Sequence, residues 1–516
     1  MAADYPTPVQ GDFITKDFHF VTGESLPELK IHYTTIGKPV RDSQGVVRNA
    51  VLIVHGTGGT GGAFLSNTFG GQLFGPGQLL DATKYFIILP DGIGGGKSSK
   101  PSDGMHMRFP KYTYDDMVKA NYLLLTEGLG VNHLRLAMGT SMGAMHTWVL
   151  GEMYPDFADA LMPLASQPIE IAGRNRELRK MIINAIEMDP EWKGGEYTKP
   201  PIYGLTCAQY ILSFMTSSPM QLQKQYPTRE SVDKLVDSSF PERAARVDAN
   251  DMIYQYDSSR LYNPEPNLGK IKAPLLAINS ADDQVNPPEM GIGEREIKKV
   301  PHGKFILIPT SDKTRGHGTH SLPSVWGNYL ADFLKETERT DVRIGTSAGP
   351  IVIELHRDWS PHGVDRFLEL VRAGYYDNSK FFRVIKDRWA QFGINGDPAI
   401  ATAWRTKTIP DDPRVESNVR GTVAFAYAVP NGRTTQVFIN TRDNSPTHDK
   451  EPFVPIGKVI EGMDVVDKFY SGYGETSGGG IRAGKQDALF TQGNAYLEAN
   501  YPKLDAIKQA TVLPVP

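Results

Sequence analysis

Gly139-Thr140-Ser141-Met142-Gly143 sits between a short apolar approach, Leu134-Arg135-Leu136-Ala137-Met138, and a stretch of helical composition, Ala144-Met145-His146-Thr147-Trp148-Val149-Leu150. The approach reads as a buried strand and the exit as a helix, so the pentapeptide is the turn that joins them. A G-x-S-x-G nucleophile elbow requires that context, because small residues on both sides of the serine let the turn be tight and lift its hydroxyl out at the top of a sheet. Alone, the pentapeptide reads as an ordinary Gly-Ser turn; the strand before it and the helix behind it carry the chemical reading.

Outward from the elbow, Ala50-Val51-Leu52-Ile53-Val54 and Tyr85-Phe86-Ile87-Ile88-Leu89 read as strands buried on both faces, the mark of a largely parallel sheet covered by helices. Leu275-Leu276-Ala277-Ile278 and Phe305-Ile306-Leu307-Ile308 repeat that signature. Between the two pairs, residues 169–262 are helical, polar and aromatic with no such strand, which predicts a helical cap inserted over the sheet. Residues 326–338 read as a closing amphipathic helix, after which the texture changes. Val342-Arg343-Ile344 and Ile351-Val352-Ile353-Glu354-Leu355 flank Thr346-Ser347-Ala348-Gly349-Pro350, a hairpin in an antiparallel system. Two domains are expected, 1–340 and 341–516, the second made of short strands between Pro, Gly and Asn turns with helices near 365–373 and 463–469.

A chain of 516 residues is too long for one ordinary core, which agrees with that division. Its 40% apolar and 22% charged residues are those of an ordinary soluble globular protein, and a formal net charge of -4 gives no electrostatic reason to expect nucleic acid or an anionic membrane as partner. No apolar run approaches the ~20 residues that span a bilayer, so no membrane span is expected. The single cysteine, Cys207, rules out an internal disulfide and any cysteine-built zinc site, and reads as a small buried apolar residue. No metal and no bound cofactor are expected. Met1-Ala2-Ala3-Asp4-Tyr5-Pro6 carries no basic and apolar leader, which leaves a cytoplasmic start and the mature end of a periplasmic or secreted protein both open.

A serine hydroxyl is a poor nucleophile at neutral pH and needs a general base and a group to orient that base. In an elbow architecture these follow in the order Ser, Asp or Glu, His, each after a late strand. Asp282 and Asp283 come directly after the strand at 275–278, and Gly316-His317-Gly318-Thr319-His320 lies beyond the strand at 305–308. The order and the placement are satisfied together, while Asp282 competes with Asp283 and His320 with His317. Backbone donors for an oxyanion are expected on Met142, after the nucleophile, and on Thr57 in His55-Gly56-Thr57-Gly58-Gly59. That glycine-rich loop contains neither G-x-x-x-x-G-K-[ST] nor G-x-G-x-x-G, which disfavours a nucleotide.

Residues 11–338 resemble the homoserine O-acetyltransferase group of α/β-hydrolase-fold proteins. The resemblance is carried by Gly75-Pro76-Gly77, Asp115-Asp116-Met117-Val118, the elbow with Ala144-Met145, Asp189-Pro190-Glu191-Trp192-Lys193-Gly194-Gly195 and Arg246-Val247-Asp248-Ala249-Asn250. Asp283-Gln284-Val285-Asn286-Pro287-Pro288 resembles the group's acid motif and Gly316-His317 its histidine motif, which selects Asp283 and His317. Such proteins pass an acetyl group from acetyl-CoA through the serine to an amino-acid hydroxyl, and members of the wider group are esterases. The resemblance therefore implies a small-molecule acyl donor and acceptor, with acetyl-CoA or another acyl donor as substrate, and leaves a homodimer open. Where the group presents a cap arginine to its acceptor, this chain has Gln209, so transfer to water or another alcohol becomes as plausible as amino-acid acetylation.

Residues 342–511 resemble a cyclophilin-type peptidyl-prolyl isomerase. Phe381-Phe382-Arg383-Val384-Ile385, Gln391-Phe392-Gly393, Gly396-Asp397-Pro398, Gln436-Val437-Phe438-Ile439-Asn440, Phe453-Val454-Pro455-Ile456-Gly457-Lys458-Val459 and Gly493-Asn494-Ala495-Tyr496-Leu497 carry it, in order. The resemblance implies a closed β-barrel and proline-containing peptides as partners. Isomerisation lowers a rotation barrier of ~20 kcal/mol with no covalent intermediate. Arg383 would weaken amide resonance at the proline nitrogen, Phe438 would hold the ring, Gln391 would steady the arginine, and Ala426 would complete the groove. Two positions depart from the pattern: Arg388 stands where an aromatic pocket residue is common, with Trp389 beside it, and His448 stands where a tryptophan or leucine usually lies. A charge in an apolar pocket weakens ring binding unless Trp389 replaces the lost surface, so isomerisation is expected to be weak. The expected protein is a fusion of a serine-dependent acyltransferase or esterase with a cyclophilin-like barrel; the alternative is an inactive scaffold whose second half only binds proline peptides.

Overall fold

The structure, a computed structural model, describes residues 5–42, 44–479 and 486–513. The chain forms two compact units, Met1–Phe333 and Leu334–Val515. The Pro323–Glu336 helix ends two residues before the next strand, Arg339–Thr346.

The first unit is built on an eight-stranded sheet: β1 (Val9–His19), β2 (Ser25–Ile36), β3 (Ala50–Val54), β4 (Phe86–Pro90), β5 (Leu136–Thr140), β6 (Leu161–Leu164), β7 (Leu275–Ser280) and β8 (Gly303–Ile308). Its order is β1-β2-β4-β3-β5-β6-β7-β8. β1 and β2 add antiparallel at one edge, and the ladders from β4 through β8 are parallel. β3 to β7 are buried at every position, as uninterrupted apolar runs demand, whereas β8 at the edge is only partly covered. Helices pack on this sheet. The Met142–Met153 helix is buried from its first residue to Gly151, with Trp148 1% exposed and its indole N–H donating to Ser166 Oγ at 3.0 Å.

Between β6 and β7 the chain leaves the sheet and forms the helices Gly173–Glu187, Ile202–Thr216 and Ala249–Asp257, with shorter turns among them. They share a core of their own around Ile182, Ile186, Leu205, Ile211, Met252 and Ile253. Cys207 is exposed on the outer face of the Ile202–Thr216 helix, not buried, because the helix turns Leu205, Ala208 and Ile211 inward.

The second unit holds another eight-stranded sheet, entirely antiparallel: β9 (Arg339–Thr346), β10 (Pro350–His356), β11 (Arg383–Ile385), β12 (Trp389–Phe392), β13 (Thr422–Phe425), β14 (Val437–Asn440), β15 (Pro455–Glu461) and β16 (Ile507–Val512), in the order β11-β12-β14-β13-β15-β10-β9-β16. β9 and β10 form the expected hairpin, with Gly345 opposite Pro350. The sheet curls into a half-barrel rather than closing through a full ladder. Its ends meet where Phe381 N donates to Asp505 O at 2.9 Å and Ile507 N to Ser379 O at 2.8 Å. The Pro361–Arg372 helix places Phe367, Leu370 and Val371 in the enclosed core with Val342, Ile344, Ile353 and Ile439.

Among the described residues, no helix is long and apolar enough to cross a membrane.

Candidate active site

Ser141 occupies the turn between β5 and the Met142–Met153 helix with φ 55° and ψ -113°. A non-glycine residue pays for a positive φ, so the surroundings must enforce it. The neighbouring glycines show how. A Cβ on Gly139 would lie 2.1 Å from Gly143 O, and one on Gly143 would lie 2.0 Å from Val54 O. Only hydrogen fits at either place, and strand, turn and helix lock together around the serine.

His317 follows β8, and its Nε2 stands 2.7 Å from Ser141 Oγ. Its Nδ1 is 2.8 Å from Asp283 Oδ2, beyond the end of β7. A carboxylate only accepts, so Nδ1–H donates to Asp283 and Nε2 is left to accept the serine proton. Asp283 also accepts from Val285 N at 2.8 Å and from Asn286 Nδ2 at 2.9 Å. Burial presses Asp283 toward its neutral form, but the neighbouring His317 ring and its hydrogen bond, with those of Asn286 and Val285, hold it below the usual carboxylate range.

The two competing residues have other partners. Asp282 accepts from Ser280 Oγ, from Thr314 Oγ1 at 3.0 Å and from Gly316 N at 2.8 Å, which ties the end of β7 to the loop that presents His317. His320 packs edge-on against His317 with ring centroids 5.2 Å apart, and burial, with His317 beside it, pushes it down to about 3, so it is neutral.

The loop after β3 lies against the serine: a Cβ on Gly56 would come within 3.2 Å of Ser141 Cβ. Thr57 follows in that turn, and Met142 opens the helix, where a backbone N–H has no intrahelical acceptor. The serine opens into a cavity of about 390 Å³, within the range of small-molecule sites. Thr57, Phe64, Phe69 and His317 line its floor side, and Arg179, Leu212, Met215 and Tyr256 come from the inserted helices. Gln209 does not line it. Arg179 was not anticipated from the sequence, though a signal was there. It sits on the Gly173–Glu187 helix at the head of the stripe 179, 182, 183, 186, where every other member is isoleucine. Among the described residues, no three His, Cys, Asp or Glu side chains cluster to hold a metal.

In the second unit Arg383 on β11 lies opposite Gln391 on β12, and Gln391 lies opposite Phe438 on β14. Arg383 Nη1 donates to Gln391 Oε1 at 2.9 Å, and Gln391 continues to Gln436 Oε1 at 3.0 Å. Glu475, which the sequence did not single out, takes the rest of the guanidinium: Nε at 2.6 Å and Nη2 at 2.9 Å. Arg388 is exposed in the turn between β11 and β12, so no charge enters the apolar surface there. Trp389 stands in its stead, its ring 5.1 Å from the Arg383 guanidinium and 5.3 Å from His448. His448 packs on Phe453 and Phe438 at 5.0 and 5.5 Å, and burial pushes its imidazole below the ordinary range. Ala426 follows β13, its N–H donating to Gln436 O at 2.9 Å.

Residues 49–313 match the family model for the alpha/beta hydrolase fold, and residues 341–483 match that for cyclophilin type peptidyl-prolyl cis-trans isomerase/CLD. The chain belongs to the alpha/beta hydrolase fold family and continues into a cyclophilin-type domain. Within that family its first unit is homoserine O-acetyltransferase-like. A homoserine O-acetyltransferase of Moorella thermoacetica is 30% identical over 52% of this chain and 80% of its own length. A probable acyltransferase of Methanothermobacter thermautotrophicus is 29% identical over 59% of this chain and 91% of its own. Of solved structures, the acetyl esterase MekB superposes with a TM-score of 0.56 at 23% identity, covering 63% of this chain and 97% of that one. Homoserine O-acetyltransferase from Bacillus anthracis does so with 0.54 at 22% identity, covering 63% and 97%. The fusion therefore joins an acyltransferase/esterase-type enzyme to a peptidyl-prolyl isomerase-type domain.

Proposed function

We propose that Ser141 is the nucleophile of an acyl-transfer or ester-hydrolysis site that works through an acyl-enzyme. The observation that carries the proposal is the continuous chain from Asp283 through His317 to Ser141, with links of 2.8 and 2.7 Å. His317 Nε2 takes the hydroxyl proton as Oγ attacks the acyl carbonyl, and Asp283 holds the ring in the tautomer that can accept it. The N–H groups of Thr57 and Met142 receive the oxyanion, and on its collapse His317 returns the proton to the departing alcohol or thiol. Water or an acceptor hydroxyl then gives its proton to His317, attacks the acyl group and releases Ser141. A thioester donor such as acetyl-CoA enters as substrate.

For the second unit we propose slow proline isomerisation in the groove of Arg383, Gln391, Phe438, Ala426, Trp389 and His448. The ion pair with Glu475 slows the step, because Arg383 must leave a carboxylate before it can engage a peptide. Incubation with acyl esters and with acetyl-CoA, followed by mass spectrometry, should detect acyl-Ser141, and Ser141→Ala should lose both adduct and turnover. Full ester turnover by Ser141→Ala would overturn the assignment.

A further inference from the structure

We infer that His320 is a second working imidazole of the Ser141 cavity, one that accepts a hydrogen bond from the water attacking acyl-Ser141 and so biases the site toward hydrolysis over transfer to an alcohol. The inference rests on the acyl-enzyme reading and adds the choice of acceptor.

His317 is followed at once by a 3₁₀ turn, Gly318–Ser321, and in such a turn side chains three residues apart eclipse one another. His320 therefore comes round beside His317, edge to face, with ring centroids 5.2 Å apart. Its backbone is anchored, because its carbonyl accepts from the indole N–H of the buried Trp326 at 3.0 Å. Both imidazoles line the cavity that holds Ser141.

A third imidazole, His55, lines the same cavity, and the three differ in how their nitrogens are used. His55 Nε2 accepts from Gly92 N at 2.8 Å and its Nδ1–H donates to Gly56 O at 2.8 Å. His317 is engaged at both ends, by Asp283 and by Ser141. Neither ring nitrogen of His320 has a hydrogen-bond partner among the described residues, and Nδ1 is buried, which leaves Nε2 to meet what enters the cavity. A polar atom buried without a partner destabilises the fold, so this ring asks for a chemical reason.

The second half of the reaction supplies one. Burial, with His317 beside it, keeps His320 down at about 3, so it stays neutral and acts through its lone pair rather than as a base. A water has two protons. One passes to His317 Nε2 as the oxygen attacks the acyl carbon; the other needs an acceptor, and the lone pair of a neutral imidazole is one. Two hydrogen bonds of about 2.8 Å let a single water span about 5.6 Å between nitrogens, a reach that suits rings 5.2 Å apart. The bond from the acyl carbon to Ser141 Oγ then breaks, His317 returns its proton to Oγ, and the second proton leaves on the acid product. His320 ends as it began. An alcohol has one proton, which goes to His317, and turns only carbon toward His320. Water is thus held at two points and an alcohol at one.

The test uses the full chain with 4-nitrophenyl acetate as donor in water containing methanol, and reads the ratio of acetic acid to methyl acetate, with Ser141→Ala as the blank. Both products come from one acyl-enzyme, so the ratio is independent of how fast, or in what fraction of molecules, that intermediate forms. His320→Phe keeps a ring and removes both nitrogens; the ratio should fall about tenfold, the weight of one hydrogen bond. His320→Gln keeps an acceptor and should hold the ratio within about threefold of the wild-type value. A ratio unchanged or raised in His320→Phe, or one that falls as far in His320→Gln, overturns the inference. Should His320→Phe fail to fold, His320→Leu takes its place with the same expected fall and the same overturning results. A wild-type protein in which mass spectrometry finds no acetyl-Ser141 sinks the acyl-enzyme reading instead, so the two failures are told apart.

Discussion

Each unit organises its polar groups as a chain of hydrogen bonds, and the two chains run to different ends. In the first, Asp283 holds His317, which reaches a hydroxyl that lines a cavity. In the second, Glu475 holds Arg383, which passes to Gln391, Gln436 and Gln486, a series of amides. A chain that moves protons needs a member that gains and loses one near neutral pH, and imidazole is that member. Guanidinium and amide are not, so the second chain can only fix geometry and charge. The arginines differ in the same way. Arg179 is buried with neutral partners, whereas Arg383 is paired with the carboxylate of Glu475.

The largest effect that separates the chains is Ser141→Ala, expected to lower ester turnover by about a million-fold while proline isomerisation by the same protein continues. Loss of both activities in a folded variant would erase the distinction. Next, Asp283→Asn should cost about 10⁴-fold in kcat, because the amide favours the wrong imidazole tautomer. Asp282→Asn should instead appear in urea midpoints, at about 1–3 kcal/mol, since its oxygens bind Thr314 and Gly316 and not the histidine. Equal kinetic losses would reopen the choice between the two aspartates.

Smaller again, Glu475→Gln should raise the isomerisation rate on a proline peptide about tenfold, the equivalent of ~1.4 kcal/mol released at Arg383, and Arg383→Ala should lower it. A rate that falls in Glu475→Gln would make the carboxylate a support rather than a restraint.

A further effect is on stability. Burial, with His55 beside it, pushes His146 down to about 3, and His320 lies equally low. Both take up a proton near pH 6.5 once unfolded, so the unfolded chain binds more protons than the folded one between the two values. The first unit should therefore lose roughly 1 kcal/mol per pH unit for each as pH falls below about 6.5. Denaturant midpoints at pH 7, 6 and 5 measure that slope, and His146→Leu should make it shallower.

The parallel sheet was legible because strands covered on both faces have no polar alternation, and the runs at 50–54, 85–89, 275–278 and 305–308 say so without help. The elbow was legible for the same reason joined to its glycines. The choice within Asp282 and Asp283 was not readable from spacing. Adjacent residues point apart, and what separates them is Thr314 and Gly316 arriving 32 and 34 residues later. Arg179 was readable as a cation on an isoleucine stripe, whereas Gln209 drew attention and proves to lie off the cavity. Glu475 left no trace, since it meets Arg383 across 92 residues of chain. Arg388 illustrates the limit of counting along a motif. The turn before β12 carries it into solvent, and the neighbouring Trp389 supplies the ring.

The helices between β6 and β7 are spliced into the chain at one point of the sheet, with the serine upstream of the insertion and the aspartate and histidine downstream of it. Inheritance can therefore treat the two parts separately. A change in the Gly173–Glu187 helix alters one wall of the chamber and leaves the hydrogen bonds of Asp283, His317 and Ser141, whose residues all lie outside the insertion, in place.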